Sequence, residues 1–398
     1  MELKPIRYRR RSSGRIRVVL LLIVLAVGLY LSGIAERSFR AVYIRYLGPY
    51  AIEIAHSFGI DAASLPELLQ PTPTPTRSAS SWLAEAEAAY WDGDLQRAAQ
   101  AYAKAFELEP DNYQALVWQA QLEAWRGHPA RAEELARRAV ELAPEDPLAL
   151  AVLGMALDWN GKPDEGIEYA LKAVSIAPGS AVVRAFLAEI YADQGNWTRA
   201  LEEAQTAISL DDSNVIVQRN LGYVLEMQGR YEEAIQAYQR AAELHPRLGL
   251  LYIGAGRNYL ALQRYDEAIA QFEKAIQVSP GSADGYDALG WTYFLRGDPE
   301  RGIAELKKAI EVDPEYAPAY AHLGAIYYTR RYYERAIEYL HKAIELGSVK
   351  EEYFYELGLS YVFLGQCDQG KPWLERALEI NPRSIPAQEG LRLCNERH

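Results

Sequence analysis

A period of 34 residues runs without insertion from residue 79 to residue 382, and few folds can satisfy it. With units beginning at residues 79, 113, 147, 181, 215, 249, 283, 317 and 351, the eighth position is always Ala or Gly, from Ala86 and Ala120 to Gly358. The twentieth is also Ala or Gly, and the twenty-seventh is Ala in all nine units, from Ala105 to Ala377. Position 15 is Gly in seven units, replaced by Gln263 and Arg331; position 32 is Pro in seven, replaced by Asp212 and Ser348. Self-similarity at a fixed period of this size is the mark of a stack of supersecondary units.

The columns have direct physical causes. In the fifth unit Leu221, Val224 and Leu225 surround the small eighth residue, and Tyr231, Ala234, Ile235, Tyr238 and Ala241 follow at helical spacing. Glycine at position 15 suits the left-handed residue that ends a first helix, and proline at position 32 stops a second. Small residues at 8, 20 and 27 let helices approach closely, while larger ones at 4, 7, 11, 17 and 24 fill the remaining space. One helix pair cannot bury its own apolar face, so stability must come from stacking. The expected fold is all-α: a solenoid of nine helix-turn-helix units (79–112, 113–146, 147–180, 181–214, 215–248, 249–282, 283–316, 317–350 and 351–382). A short helix over 383–398, with Leu391 and Cys394 on one face, caps its end.

The columns resemble the tetratricopeptide repeat family over residues 79–382. The seventh unit carries Tyr286, Leu289-Gly290, Tyr293, Gly302, Leu306, Ala309 and Pro314; the sixth carries Tyr252, Ala255-Gly256, Tyr259, Ala268, Phe272, Ala275 and Pro280. The resemblance implies a right-handed superhelix of about one turn and an extended concave groove, lined by positions 2, 5, 6, 9, 12 and 13 of each first helix. It also implies a scaffold that binds proteins or peptides rather than an enzyme. Position 13 is Trp91, Trp125 and Trp159 in the first three units; Tyr90 and Trp118 stand beside them, and Phe186, Tyr223, Trp291, Tyr328 and Tyr355 continue the aromatic series. Two readings follow. The indoles form a stacking ladder for an extended peptide or glycan, or they fill the seam against the next unit.

Arg219-Asn220 and Arg257-Asn258 occupy positions 5, 6, 9 and 10 of adjacent units. Chaperone adaptors of this family clamp a C-terminal carboxylate with similar residues, but Tyr223 here takes a position where that clamp has Asn. The two arginines either receive an acidic group or pair with Glu189 and Glu226. Cys367 opens the second helix of the last unit and Cys394 lies near the end of the cap. Antiparallel packing would bring them together as a disulfide if the body is extracytoplasmic; the alternative is two free buried thiols.

Charge divides the chain. Residues 1–78 hold 11 Lys and Arg against 5 Asp and Glu, a balance of +6, and residues 79–398 hold 31 against 49, a balance of −18. Residues 18–35 are uncharged, from Val18 to Ala35, and just long enough to cross a bilayer as a helix. Seven basic residues precede this segment and three follow it closely, which predicts a single-pass membrane protein with residues 1–17 cytoplasmic and the repeats outside. Gly33-Ile34-Ala35 also offers a cleavage site, so a removed signal peptide is the alternative. Residues 36–70 read as a juxtamembrane helical segment or a small hairpin, and the alternating Pro and Thr of 71–78 read as a semi-rigid linker.

An acidic body excludes nucleic acid as a partner. No phosphate-binding loop, zinc-protease motif or nucleophile elbow is present, and the six histidines lack ligand spacing. No metal, cofactor or catalytic residue is expected. The sequence therefore predicts a membrane-anchored scaffold holding a partner's peptide segment within an envelope complex. A polysaccharide-binding module using the Trp ladder is the alternative, and self-association is a further possibility.

Overall fold

The computed structural model describes residues 77–396. Met1–Arg77 and Ser78–His398 separate as two units. The expected membrane helix at 18–35, the segment at 36–70 and the linker up to residue 76 lie outside the described residues. Among the described residues, no helix is long and apolar enough to cross a membrane.

Nineteen α-helices and no strands make up the described residues. The first helices of the nine units are α1 (Ala79–Trp91), α3 (Tyr113–Trp125), α5 (Pro147–Trp159), α7 (Ala181–Asp193), α9 (Val215–Met227), α11 (Gly249–Ala261), α13 (Ala283–Arg296), α15 (Ala317–Thr329) and α17 (Glu351–Phe363). The second helices are α2 (Leu95–Leu108), α4 (Pro129–Leu142), α6 (Pro163–Ile176), α8 (Trp197–Leu210), α10 (Tyr231–Leu244), α12 (Tyr265–Val278), α14 (Pro299–Val312), α16 (Tyr333–Glu345) and α18 (Cys367–Ile380). The last helix, α19, spans Ile385–Glu396. Each first helix packs on its own second helix, and from unit 2 onward on the first helix of the next unit. First helices thus form an inner layer and second helices an outer one.

Small residues set the distance between the layers. A Cβ placed on Gly166 of α6 would stand 2.5 Å from the Gly154 carbonyl oxygen of α5, so only glycine permits that approach. At position 15 all nine residues have positive φ, including Gln263 at 59° and Arg331 at 62°, where the repeat departs from glycine. Each departure costs roughly 1 kcal/mol against glycine. At the far end Cys367 and Cys394 form a disulfide between α18 and α19. Ala387 and Cys394 of α19 pack with Leu374 and Ala377 over the last unit.

The two halves of the solenoid differ. Helices α5 and α7 are buried on every side: ten consecutive residues, Ala149–Asp158, have no exposed face, and neither do the eight residues from Ala185 to Ala192. Their inner surfaces are therefore closed by neighbouring first helices. Helices α13 and α15 bury at most two residues in succession, with Ala319, Ala321, Leu323, Gly324, Ile326 and Tyr327 as the buried set of α15; α17 buries Leu357–Ser360 toward its end but leaves Tyr353, Tyr355 and Glu356 near its start part-exposed. The extended groove implied by the family resemblance is thus open along the last units and collapsed along units 2 to 5. The cause lies in the side chains. Helix α5 is apolar at every position except Asp158, so it has no face suited to water.

The collapsed half also closes on itself. Residues at the α1–α2 turn meet the turn between units 5 and 6: the Trp91 ring stacks on His245 at 4.8 Å, and Arg247 pairs with Asp92 at 2.9 Å. Leu95 and Trp125 pack on Leu248 and Leu251. Gly93, at φ +81°, makes this possible, because a Cβ there would fall 2.0 Å from the Arg247 carbonyl oxygen.

Candidate functional site

The structure gives each indole of the position-13 series a different neighbour. Trp91 remains 52% exposed while one face lies on His245. Trp125 is half-buried in the contact with Leu248 and Leu251, and its Nε1 is shielded without a protein partner. Trp159 donates Nε1–H to Glu189 at 3.1 Å, with the Arg219 guanidinium over its ring. Tyr90 and Phe186 are buried, and Trp118 stacks on Tyr102. These residues belong to the closed half.

Arg219 lies at the centre of that half. It is 8% exposed and donates to Glu189 at 2.5 Å and to Asn220 Oδ1 at 2.9 Å. Asn220 in turn donates to Glu189 at 2.9 Å, which fixes the carboxylate from both sides. The Tyr223 hydroxyl donates to Asp193. Nearby, burial and then a hydrogen bond with Asp193 push the Asp158 carboxyl up to about 9. Of the two sequence readings for Arg219, internal pairing is the one that matches its surroundings.

Arg257 stands where the closed half gives way to the open one. Its side chain is half exposed and 3.5 Å from Glu226, whose other oxygen accepts from Asn258 and from the Tyr238 hydroxyl. From Arg257 a continuous row of polar and aromatic groups runs along the inner layer of units 7 to 9. Tyr316 donates to Asp284 at 3.1 Å. Asp287 bonds His322 Nδ1 at 2.7 Å, and the His322 ring stacks on Trp291 at 4.4 Å. Glu356 follows; burial, then the charge of Glu352, pushes its carboxyl up to about 8. Tyr328 and Tyr353 flank it, each phenol pushed up to about 12 by burial and then by neighbouring carboxylates.

Sequence reasoning found Trp291 and Tyr328 of this row, but not its polar members Asp284, Asp287, His322 and Glu356. The missed residues stand at positions 2, 5 and 6 of first helices, among the groove positions the family resemblance implies. Carboxylates at outer positions recur in every unit, and that background hid the few that face inward.

The described residues form an α-solenoid of helical-repeat units with one closed half and one open half. The chain belongs to the tetratricopeptide repeat family: profiles described as Tetratricopeptide repeat match residues 91–156, 187–248, 225–292, 317–346 and 351–384, and one described as TPR repeat matches 290–329. No curated protein matches this chain in sequence. Among solved structures, the APC/C hetero-tetramer Cut9-Hcn1 is similar with a TM-score of 0.61 at 16% identity, covering 89% of this chain and 72% of that one. The human IFIT1 dimer with m7Gppp-AAAA is similar with a TM-score of 0.52 at 17% identity, covering 92% and 87%. At these identities the likeness is one of fold.

Proposed function

We propose that this protein is a membrane-anchored scaffold that holds a peptide segment of a partner protein against the open inner layer of units 6 to 9. The observation that carries this reading is the set of part-exposed aromatic and polar side chains on α13, α15 and α17, among them Trp291, His322, Tyr328, Tyr355 and Glu352. A solenoid uses such concave faces for extended ligands. Anchoring through residues 18–35, with the repeats outside the cytoplasm, rests on the apolar run and the basic residues before it. The Cys367–Cys394 disulfide supports that placement, since such bonds persist in oxidising compartments. Organisation of an envelope complex is the role that joins these features. The glycan alternative depends on three free indoles, and each of those indoles is engaged by its own protein.

The test is photo-cross-linking in intact cells, with the reactive side chain introduced at Tyr355 in the open face or at exposed Leu171 on outer helix α6. The expected result is one protein adduct from position 355 that is absent from position 171, recovered in a membrane fraction resistant to alkaline extraction. Equal adducts from both positions would overturn the groove, and a freely soluble chain would overturn the anchor.

A further inference from the structure

The first helices of units 7 to 9 bring an acidic and aromatic set to the inner layer. Helices α13, α15 and α17 carry five carboxylates, those of Asp284, Asp287, Glu351, Glu352 and Glu356, and one arginine, Arg296 at the last position of α13. Arg296 is directed elsewhere, 2.8 Å from Asp266 of α12. In the closed half the inner acids have cations or donors: Glu189 has Arg219, and Glu85 has Arg97. The exception there is Asp158, one oxygen of which has no hydrogen-bond partner; in the open half Glu351 accepts from Asn381 at 2.7 Å. Asp287 has a histidine, Asp284 a phenol, and one Glu356 oxygen is shielded from solvent with no hydrogen-bond partner.

Burial of a carboxylate without a cation is unfavourable, and the cost shows as displaced titration. Burial raises Asp284 even with Arg257 nearby, and Glu356 is raised by burial and then by Glu352. A cation delivered here would gain both charges and rings, since Trp291, Tyr328 and Tyr353 border the same carboxylates and aromatic faces attract guanidinium and ammonium groups.

We propose that the open inner layer of units 7 to 9 binds a segment rich in Arg and Lys, with Glu352 and Glu356 receiving its basic side chains. This rests on the groove reading above and names the partner's chemistry. Binding would draw the proton from Glu356, so complex formation near pH 7 releases protons to the buffer.

The test uses the full chain in detergent and three labelled twelve-residue peptides of alternating sequence: Arg with Tyr, Glu with Tyr, and Ser with Tyr. The Arg peptide is expected to bind at least tenfold more tightly than the other two, and Glu352→Gln with Glu356→Gln to weaken it at least tenfold. Removal of two outer charges by Glu232→Gln with Glu243→Gln on α10 should change binding less than twofold, which separates this site from the general attraction of an acidic body. Calorimetry in buffers of different ionisation enthalpy should show proton release that the single variant Glu356→Gln abolishes; a thermal melt of each variant checks that it is folded. Equal binding of the three peptides, or equal weakening by the inner and outer variants, overturns the proposal. A cross-linked partner at Tyr355 together with indifference to the Arg peptide would leave the groove standing and reject only its chemistry.

Discussion

Units 1 to 5 and units 6 to 9 are built from the same 34-residue pattern, yet one half closes and the other stays open. The difference begins before each first helix. In the closed half Ser78, Asn112, Asp146, Ser180 and Asn214 each accept a hydrogen bond from the first turn. In the open half Leu248, Ser282, Tyr316 and Lys350 hold that place, and none makes such a bond. A side-chain cap contributes about 1 kcal/mol, so its loss needs another use for the position. Leu248 is 1% exposed against Leu95 and Trp125, and Tyr316 reaches Asp284. The same position stabilises a helix in one half; in the other it makes contact across the fold or lines the groove.

The inner charges differ in the same sense. Glu189 of the closed half is satisfied by Arg219 and Asn220, whereas one Glu356 oxygen of the open half has no hydrogen-bond partner. Internal pairing stabilises a fold, and unsatisfied charge favours binding.

The strongest way to break this division is Arg219→Met. Glu189 has no exposed area and would lose its cation, a loss of about 3–5 kcal/mol. Urea denaturation followed by hydrogen exchange should place the loss in units 3 to 5. Equal loss of protection in α15 and α17 would show that the halves are not separable.

A smaller effect isolates the contact between unit 1 and units 5 and 6. Gly93 and Gly127 have φ of +81° and +83°, but a Cβ on Gly127 meets nothing within 4 Å. Gly127→Ala should therefore cost only about 1 kcal/mol for the left-handed backbone. Gly93→Ala must also move Arg247 and should lower the melting temperature at least twice as far. Equal shifts would remove that contact from the stability of the closed half.

A third effect is one of pH. Asp158 is pushed up to about 9 in the folded state by burial, against roughly 4 when unfolded. Its contribution is fully present below pH ~4 and is lost as pH rises through 9. His245 has the opposite sign: burial lowers its pKa, so the stability of its neutral form is present above about 6.5 and lost as pH falls. Asp158→Asn keeps a donor toward Asp193 and removes the titration. It should stabilise the protein at pH 8 and reduce the alkaline arm of melts taken from pH 5 to 9, to which Glu356 also contributes, leaving the acid arm to His245. An unchanged alkaline arm would show that Asp158 is not among the groups titrating there.

Much of this was legible in one dimension. The small residues at positions 8, 20 and 27 specify how closely helices pack, and the left-handed residue at position 15 ends each first helix even where Gln263 and Arg331 replace glycine. Those are local demands, set within one unit, and a repeated sequence states them nine times. The apolar circumference of α5 and the missing caps before α11, α15 and α17 also stood in the sequence, though only the fold gives them meaning. What tertiary structure alone decided is long range. His245 meets Trp91 across 154 residues, Glu189 captures Arg219 from the next unit, and one oxygen of Glu356 is left without a hydrogen-bond partner. A period fixes the contacts between neighbouring units. The curvature that accumulates over several units depends on the small differences between them, and that curvature decides which inner faces meet and which stay open.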